Sequence, residues 1–198
     1  IRRYFRYSCE YAMGMIDKET VERAELIMEE VGAKVEDRPV VLPARKAAEE
    51  ARLRGKGNNG IFCGAAIELP DGTILTGKNS PLMHAAACLI INTAKHLAGI
   101  PPAIDLLPKS IIESLNYFKK NVLDGKRLSL DLEETLIALS ISGTMNPAAQ
   151  AAVEKLKEIR GCDVHMTHIP TPGDEAGLRK LGLNLTSDPD FSSRYLFL

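Results

Sequence analysis

The sequence predicts an α/β protein: three layers, α-β-α, around a mixed sheet of about five strands, preceded by a small helical segment. Three stretches carry that reading. Ile61 to Leu69 is a short apolar strand that meets the turn Pro70-Asp71-Gly72, then a second strand over Thr73 to Thr76 and a helix from Pro81 to Ala98 that is apolar almost all round. Thr135 to Ser142, TLIALSIS, is a continuous apolar run of the kind that fills a central strand buried on both faces. After it, strand and helix signals alternate to the end of the chain, which argues for a sheet covered by helices.

Residues 1–56 read as helical. Ile1 to Met13 contains no helix breaker and carries Tyr4, Tyr7 and Tyr11 on one face, a stripe expected to pack against a neighbour. Asp17 caps a helix over Lys18 to Val31 that ends at Gly32. Pro39 and Pro43 open a third helix to about Arg54. Gly55-Lys56-Gly57-Asn58-Asn59-Gly60 is a linker by composition, and the domain boundary is expected there: a helical segment 1–56, an α/β domain 59–190 and a tail 191–198 with Phe191, Tyr195 and Phe197.

In the α/β part, Gly99 and Pro101-Pro102 stop the helix that Pro81 begins. Pro108 starts another, to about Val122. After the apolar run, Asn146 caps a helix with Pro147 at its first position, ended by Gly161. Cys162 to Ile169 is the next strand, Thr171-Pro172 opens a helix to about Leu181, and Leu183 to Thr186 is the last strand.

Composition narrows the function classes. The chain has 198 residues, 45% apolar and 26% charged, with a formal net charge of −1, so it carries no electrostatic footprint for nucleic acid or an anionic membrane. Its four cysteines are widely spaced in apolar settings with no C-x-x-C, which fits free thiols in a reducing cytoplasm. The chain opens at Ile1 without an initiator Met and is expected to be the C-terminal part of something longer. Partners expected on these grounds are the N-terminal region of that longer protein and a second copy.

Gly64-Ala65-Ala66, Asp71-Gly72, Ile74, Thr76-Gly77, Asn79 and, further on, Asn146-Pro147-Ala148-Ala149-Gln150 with Leu156 resemble the two core segments of the cytidine-deaminase-like fold, over residues 59–189. Active members of that fold hold zinc with an H/C-x-E motif and a P-C-x-x-C motif. Here His84-Ala85-Ala86 lacks the glutamate, and Ala148 and Ala151 stand where the cysteines would be. Alanine offers neither a lone pair nor a proton, so a zinc deaminase is not expected, nor a metal or cofactor of any kind. The wording of nearly the whole chain is also similar to the C-terminal part of a bacterial domain-of-unknown-function family. Ile1-Arg2-Arg3-Tyr4, Glu36-Asp37-Arg38-Pro39-Val40-Val41, Ala65 to Gly72, Leu136 to Ser142, Asn146-Pro147 and Gly161-Cys162 carry that resemblance. It implies a larger N-terminal region with a P-loop-like segment.

Two turns attract a binding hypothesis: Lys78-Asn79-Ser80 before the helix at Pro81, and Ser142-Gly143-Thr144-Met145-Asn146 before the helix at Pro147. Read as strand-to-helix turns, they put two helix N-termini, with free N–H donors and partial positive charge, beyond the carboxyl ends of strands. A deaminase-like sheet would set them side by side. Lys78, Asn79, Ser80, Ser142, Thr144 and Asn146 would then line a crevice for the phosphate or carboxylate of a phosphorylated or nucleotide-like small molecule, with His168 as a base facing it. The competing reading is capping alone. No catalytic residue is assigned. His84 and Cys88 share a helix face without a third ligand, and His165 and His168 are expected on opposite faces of their strand. The two functions weighed are a non-catalytic structural and oligomerisation module, and a small-molecule-binding domain.

Overall fold

The computed structural model describes residues 1–126 and 128–192. Three helices come first, α1 (Arg2–Ala12), α2 (Lys18–Glu30) and α3 (Val41–Leu53), and then the hairpin β1 (Gly64–Glu68) and β2 (Ile74–Lys78). Four helices follow, α4 (Ala85–Leu97), α5 (Lys109–Asn121), α6 (Leu132–Gly143) and α7 (Pro147–Lys155). The chain continues with β3 (Asp163–Met166), α8 (Pro172–Lys180) and β4 (Asn184–Ser187). The class is the expected one, a mixed sheet between helix layers. Strand order is β2-β1-β3-β4, with β1 antiparallel to both neighbours and β3 parallel to β4.

The described sheet has four strands, not about five, because the run Thr135–Ser142 is helical. Four strands do not establish the deaminase-like arrangement. The reason for the helix lies at its start. Asp131 Oδ1 accepts the Glu134 N–H at 2.9 Å, and Glu134 Oε2 accepts the Asp131 N–H at 3.0 Å, a reciprocal cap that commits the next turns to α6. Leu132, Thr135, Ala138, Leu139 and Ser142 then fall inward at helical spacing, while Ile137 and Ile141 face out. A helix with apolar residues on both faces mimics a buried strand. Other boundaries shift by a few residues. α4 begins at Ala85 and not Pro81, because Met83 forms a parallel bridge with Leu130, whose N–H donates to Leu82 O and whose carbonyl accepts the His84 N–H.

Alternation along the strands assigns the two faces. Ala65 and Ile67 join Leu89, Ile90, Leu132, Leu139, Val164, Met166 and Leu178 in the main core under α4, α6, α7 and α8. Ala66 faces the other way, against Val40 and Ala44 of the α3 layer, with Ile74 packed beside them. α3, the last helix of residues 1–56, covers this face of the sheet. Buried Arg38 fastens that layer to β3 and β4. It donates to Asp163 Oδ2 at 2.6 Å, Asn184 O at 2.6 Å and Thr186 Oγ1 at 2.9 Å. Arg45 of α3 adds a two-pronged pair with Asp188, at 2.7 and 3.1 Å. Among the described residues, no helix is long and apolar enough to cross a membrane. Of the tail, Tyr195 and Phe197 lie outside the described residues.

Candidate functional site

Because β1 is antiparallel to β2 and β3, and β4 parallels β3, the carboxyl ends of β2, β3 and β4 share one edge. That edge is where open α/β sheets collect ligands. That end carries Lys78 as the last residue of β2, Asn79 and Ser80 just beyond it, and His168 and Thr171 after β3.

The most organised polar cluster there is built around Asp174. Thr171 caps α8 and places Asp174 at the third helical position, a threonine-to-acid spacing that brings the carboxylate back over the helix start. Asp174 is fully buried, at 0% exposure, yet accepts three hydrogen bonds. Thr171 Oγ1 donates to Oδ2 at 2.7 Å, the Leu132 N–H donates to Oδ1 at 3.0 Å, and His84 Nδ1 lies 2.8 Å from Oδ2. His84 immediately precedes α4, and its own N–H donates to Leu130 O at 2.8 Å. One carboxylate therefore ties together the starts of α4, α6 and α8.

The electrostatics follow from this contact set. Burial alone would raise the Asp174 pKa, but the His84 hydrogen bond and charge, with the Thr171 and Leu132 donors, hold it below the ordinary carboxylate value. Burial works against a charged His84, and Asp174 overrides it, raising the imidazole pKa. Since an ionised carboxylate can only accept, Nδ1 carries the proton toward Asp174 and Nε2 is left for other partners. His84 is 21% exposed. An imidazole fixed through Nδ1 by a buried carboxylate can act through Nε2 as a base or, once protonated, as a donor. A nucleophile to match it is lacking in Cys63, whose thiol burial pushes up to about 12, leaving it protonated and inert.

His168 belongs to the same neighbourhood, influenced by Asp174 and His84, but burial dominates and lowers its pKa to about 4. Its Nδ1 has no partner among the described residues. A testable pH dependence follows. Between about pH 6.5 and pH 4 the unfolded chain takes up a proton that folded His168 refuses, so stability falls as the pH falls through that window. The loss attributable to this residue is about 3 kcal/mol, complete near pH 4. Urea unfolding at pH 7 and pH 4.5 should show a smaller drop in His168→Phe than in the parent chain; equal drops would contradict this assignment.

The residues expected to bind an anion fall into two groups. Asn79 is buried and committed, its Oδ1 accepting the Cys63 N–H at 2.8 Å and its Nδ2 donating to Ile61 O at 2.9 Å. Ser80 Oγ accepts from the N–H groups of Leu82 and Met83, both at 3.2 Å. The second turn is corrected by the structure: Ser142 to Asn146 joins helix to helix, not strand to helix. The Ser142 and Thr144 hydroxyls donate to Ala138 O and Ile141 O within α6. Asn146 Oδ1 accepts the N–H groups of Ala148 and Ala149, which occupies donors that an anion would have used. Twelve residues of α6, about 18 Å of helix, stand between Asp131 and Thr144. Among the described hydrogen bonds none joins Lys78, Asn79 or Ser80 to the second group. His165 is buried on the α1 side, with Nδ1 3.0 Å from Thr186 Oγ1 and its ring 4.8 Å from Phe5. A separate groove of about 730 Å³ lies between α3 and β2, lined by Leu42, Lys46, Glu49, Ile74 and Thr76 among others.

Sequence reasoning does not find Asp174 or Asp131. The Asp131-to-Glu134 spacing is a signal that could announce the α6 cap. Nothing local could join His84 to a partner 90 positions away.

Residues 36–197 match the family model described as Domain of unknown function DUF1846, C-terminal. The chain belongs to this family. A UPF0371 protein of Clostridium botulinum (strain ATCC 19397 / Type A) is 47% identical over 198 residues. The UPF0371 proteins of strains Langeland / NCTC 10281 / Type F and Alaska E43 / Type E3 are 46% and 47% identical. In each case the match takes in 100% of this chain and 39% of the relative, so this DUF1846 domain spans about two fifths of the curated proteins it resembles. The family's own description assigns it no activity.

Proposed function

We propose that this DUF1846 domain is a non-catalytic structural module, and that the outer face of α6 docks onto the N-terminal region that its longer relatives carry. One observation carries the reading. Ile137, Ile141 and Met145 follow one another at helical spacing on the solvent side of α6 and its C-terminal turn, 61%, 54% and 92% exposed. An apolar stripe opposite an already buried face is the pattern of a helix covered on both sides, and a free-standing surface rarely keeps one. The four cysteines are free thiols, in keeping with a reducing cytoplasmic setting.

The test is Ile137→Glu combined with Ile141→Glu. In the 198-residue chain both positions face solvent, so unfolding free energy should change by no more than about 0.5 kcal/mol. In the full-length protein the same pair buries two unpartnered charges in a contact and should cost more than about 2 kcal/mol, read as a separate, earlier melting step for this domain. Equal behaviour in both contexts would remove the proposal.

A further inference from the structure

The register of the β1–β2 pair determines which backbone groups of β2 face outward. Leu69 N–H donates to Thr73 O at 2.9 Å and Asn79 N–H to Cys63 O at 3.1 Å. Those bonds place the backbone groups of Leu69, Thr73, Cys63 and Asn79 between the two strands, and alternation puts Ile67–Leu75 and Ala65–Gly77 at the hydrogen-bonded positions of the ladder. Ile74, Thr76 and Lys78 therefore direct their N–H and C=O groups away from β1. β2 is an edge strand of the sheet. Asn92 Nδ2 donates to Thr76 O at 3.0 Å, a side-chain plug on one of these outward carbonyls.

Beside this edge runs a stripe of α3: Leu42, Lys46, Glu49 and Leu53, spaced four, three and four residues apart and so on one helical face. Leu42 and Leu53 are 55% and 78% exposed. The stripe reads the same in reverse by chemical type, leucine at each end and opposite charges inside. If a second α3 is laid antiparallel across a two-fold axis between Ala47 and Ala48, each Leu42 meets a Leu53 and each Lys46 meets a Glu49. Such a self-matching patch is what an isologous interface requires.

We infer that this face pairs two copies of the chain, α3 against α3, with the two β2 edges alongside each other. The dimensions agree. α3 packs over both β1 and β2, so adding a strand at the usual spacing of about 4.8 Å brings the two α3 helices to roughly the 10 Å at which helices pack. The groove between α3 and β2 is the space the second copy closes. The pairing is independent of the docking role given to α6, which lies on the opposite face of the sheet.

A charge swap tests it in the 198-residue chain by sedimentation velocity across micromolar concentrations. The parent should sediment as a monomer–dimer equilibrium. Lys46→Glu creates two symmetric repulsions and should weaken dimerisation at least tenfold. Adding Glu49→Lys to it should restore parental affinity, since the pairs re-form with signs exchanged. Asn92→Ala should tighten the dimer by unplugging the β2 edge, and Ile137→Glu with Ile141→Glu should leave it unchanged. A parent that stays monomeric at every concentration, or a swap that fails to restore affinity, overturns the inference.

Discussion

Asp174→Ala should destabilise the domain by about 3–5 kcal/mol, the range found when one partner of a buried ion pair is removed. The carboxylate is fully buried and serves donors from three directions, His84, Thr171 and the Leu132 N–H. Alanine leaves the half-buried imidazole without its counter-ion and the first N–H of α6 without an acceptor. Urea unfolding at pH 7 measures the loss, and a change below about 1 kcal/mol would show that the three helix starts do not depend on this side chain. His84→Ala taken with Asp174→Ala in a double-mutant cycle isolates the pair, and the two losses should fall well short of adding. For His84 the sign of the pH dependence is opposite to that of His168. Because Asp174 raises the His84 pKa above its ordinary 6.5, the imidazole's contribution is full below pH 6.5 and is lost as pH rises through its folded pKa, while the contribution of Asp174, held below the ordinary carboxylate value, is lost only in acid as pH falls through its own folded pKa. An NMR titration of His84 Cε1–H in the Asp174→Ala chain should show that pKa falling back, since burial alone lowers it.

This lock is invisible in the sequence for a physical reason. Capping spacings, apolar periodicity and turn residues are local, and they locate the β1–β2 hairpin, α1, α2, α5, α7, β3, α8 and β4 to within a few residues. The pairing of His84 with Asp174 depends on the sheet placing β2 and β3 with their carboxyl ends together, which no short stretch encodes. The error at α6 is different in kind. TLIALSIS satisfies both a buried strand and a doubly covered helix, and the Asp131–Glu134 cap just ahead of it decides between them. Once α6 is a helix, the Ser142 and Thr144 hydroxyls bond back to Ala138 O and Ile141 O of the same helix, and the expected anion crevice loses that wall. Of its other wall, Asn79 and Ser80 are spent on holding the chain after β2 in place. Capping is the competing reading of both turns, and the observed bonds at Ser80 and Asn146 are capping and turn bonds.

Gly64→Ala is the second large effect, and it tests how closely α3 must approach the sheet. A Cβ on Gly64 would lie 2.2 Å from Ala44 O and 2.7 Å from Ala48 N. Both are backbone atoms of α3, so no side-chain rotation relieves the overlap and the helix itself must lift from β1. Lifting it opens the contact of Val40, Ala44 and Ala66 and strains the Arg45–Asp188 pair. The expected cost is about 3 kcal/mol or more, beyond ordinary overpacking because the obstacle is main chain. Gly72→Ala is the informative comparison. Gly72 has φ +82°, and a methyl group added there would meet nothing within 4 Å, so its cost is conformational, about 1–2 kcal/mol. Urea midpoints of the two variants separate packing from backbone strain. Were Gly64→Ala no worse than Gly72→Ala, α3 would be loosely held and the self-pairing face it offers would lose its rigid support. Glycine inside a strand ordinarily weakens it. Here that weakness is the condition for α3 to lie close enough to carry both Arg45 to Asp188 and its own outer stripe to the edge of the sheet.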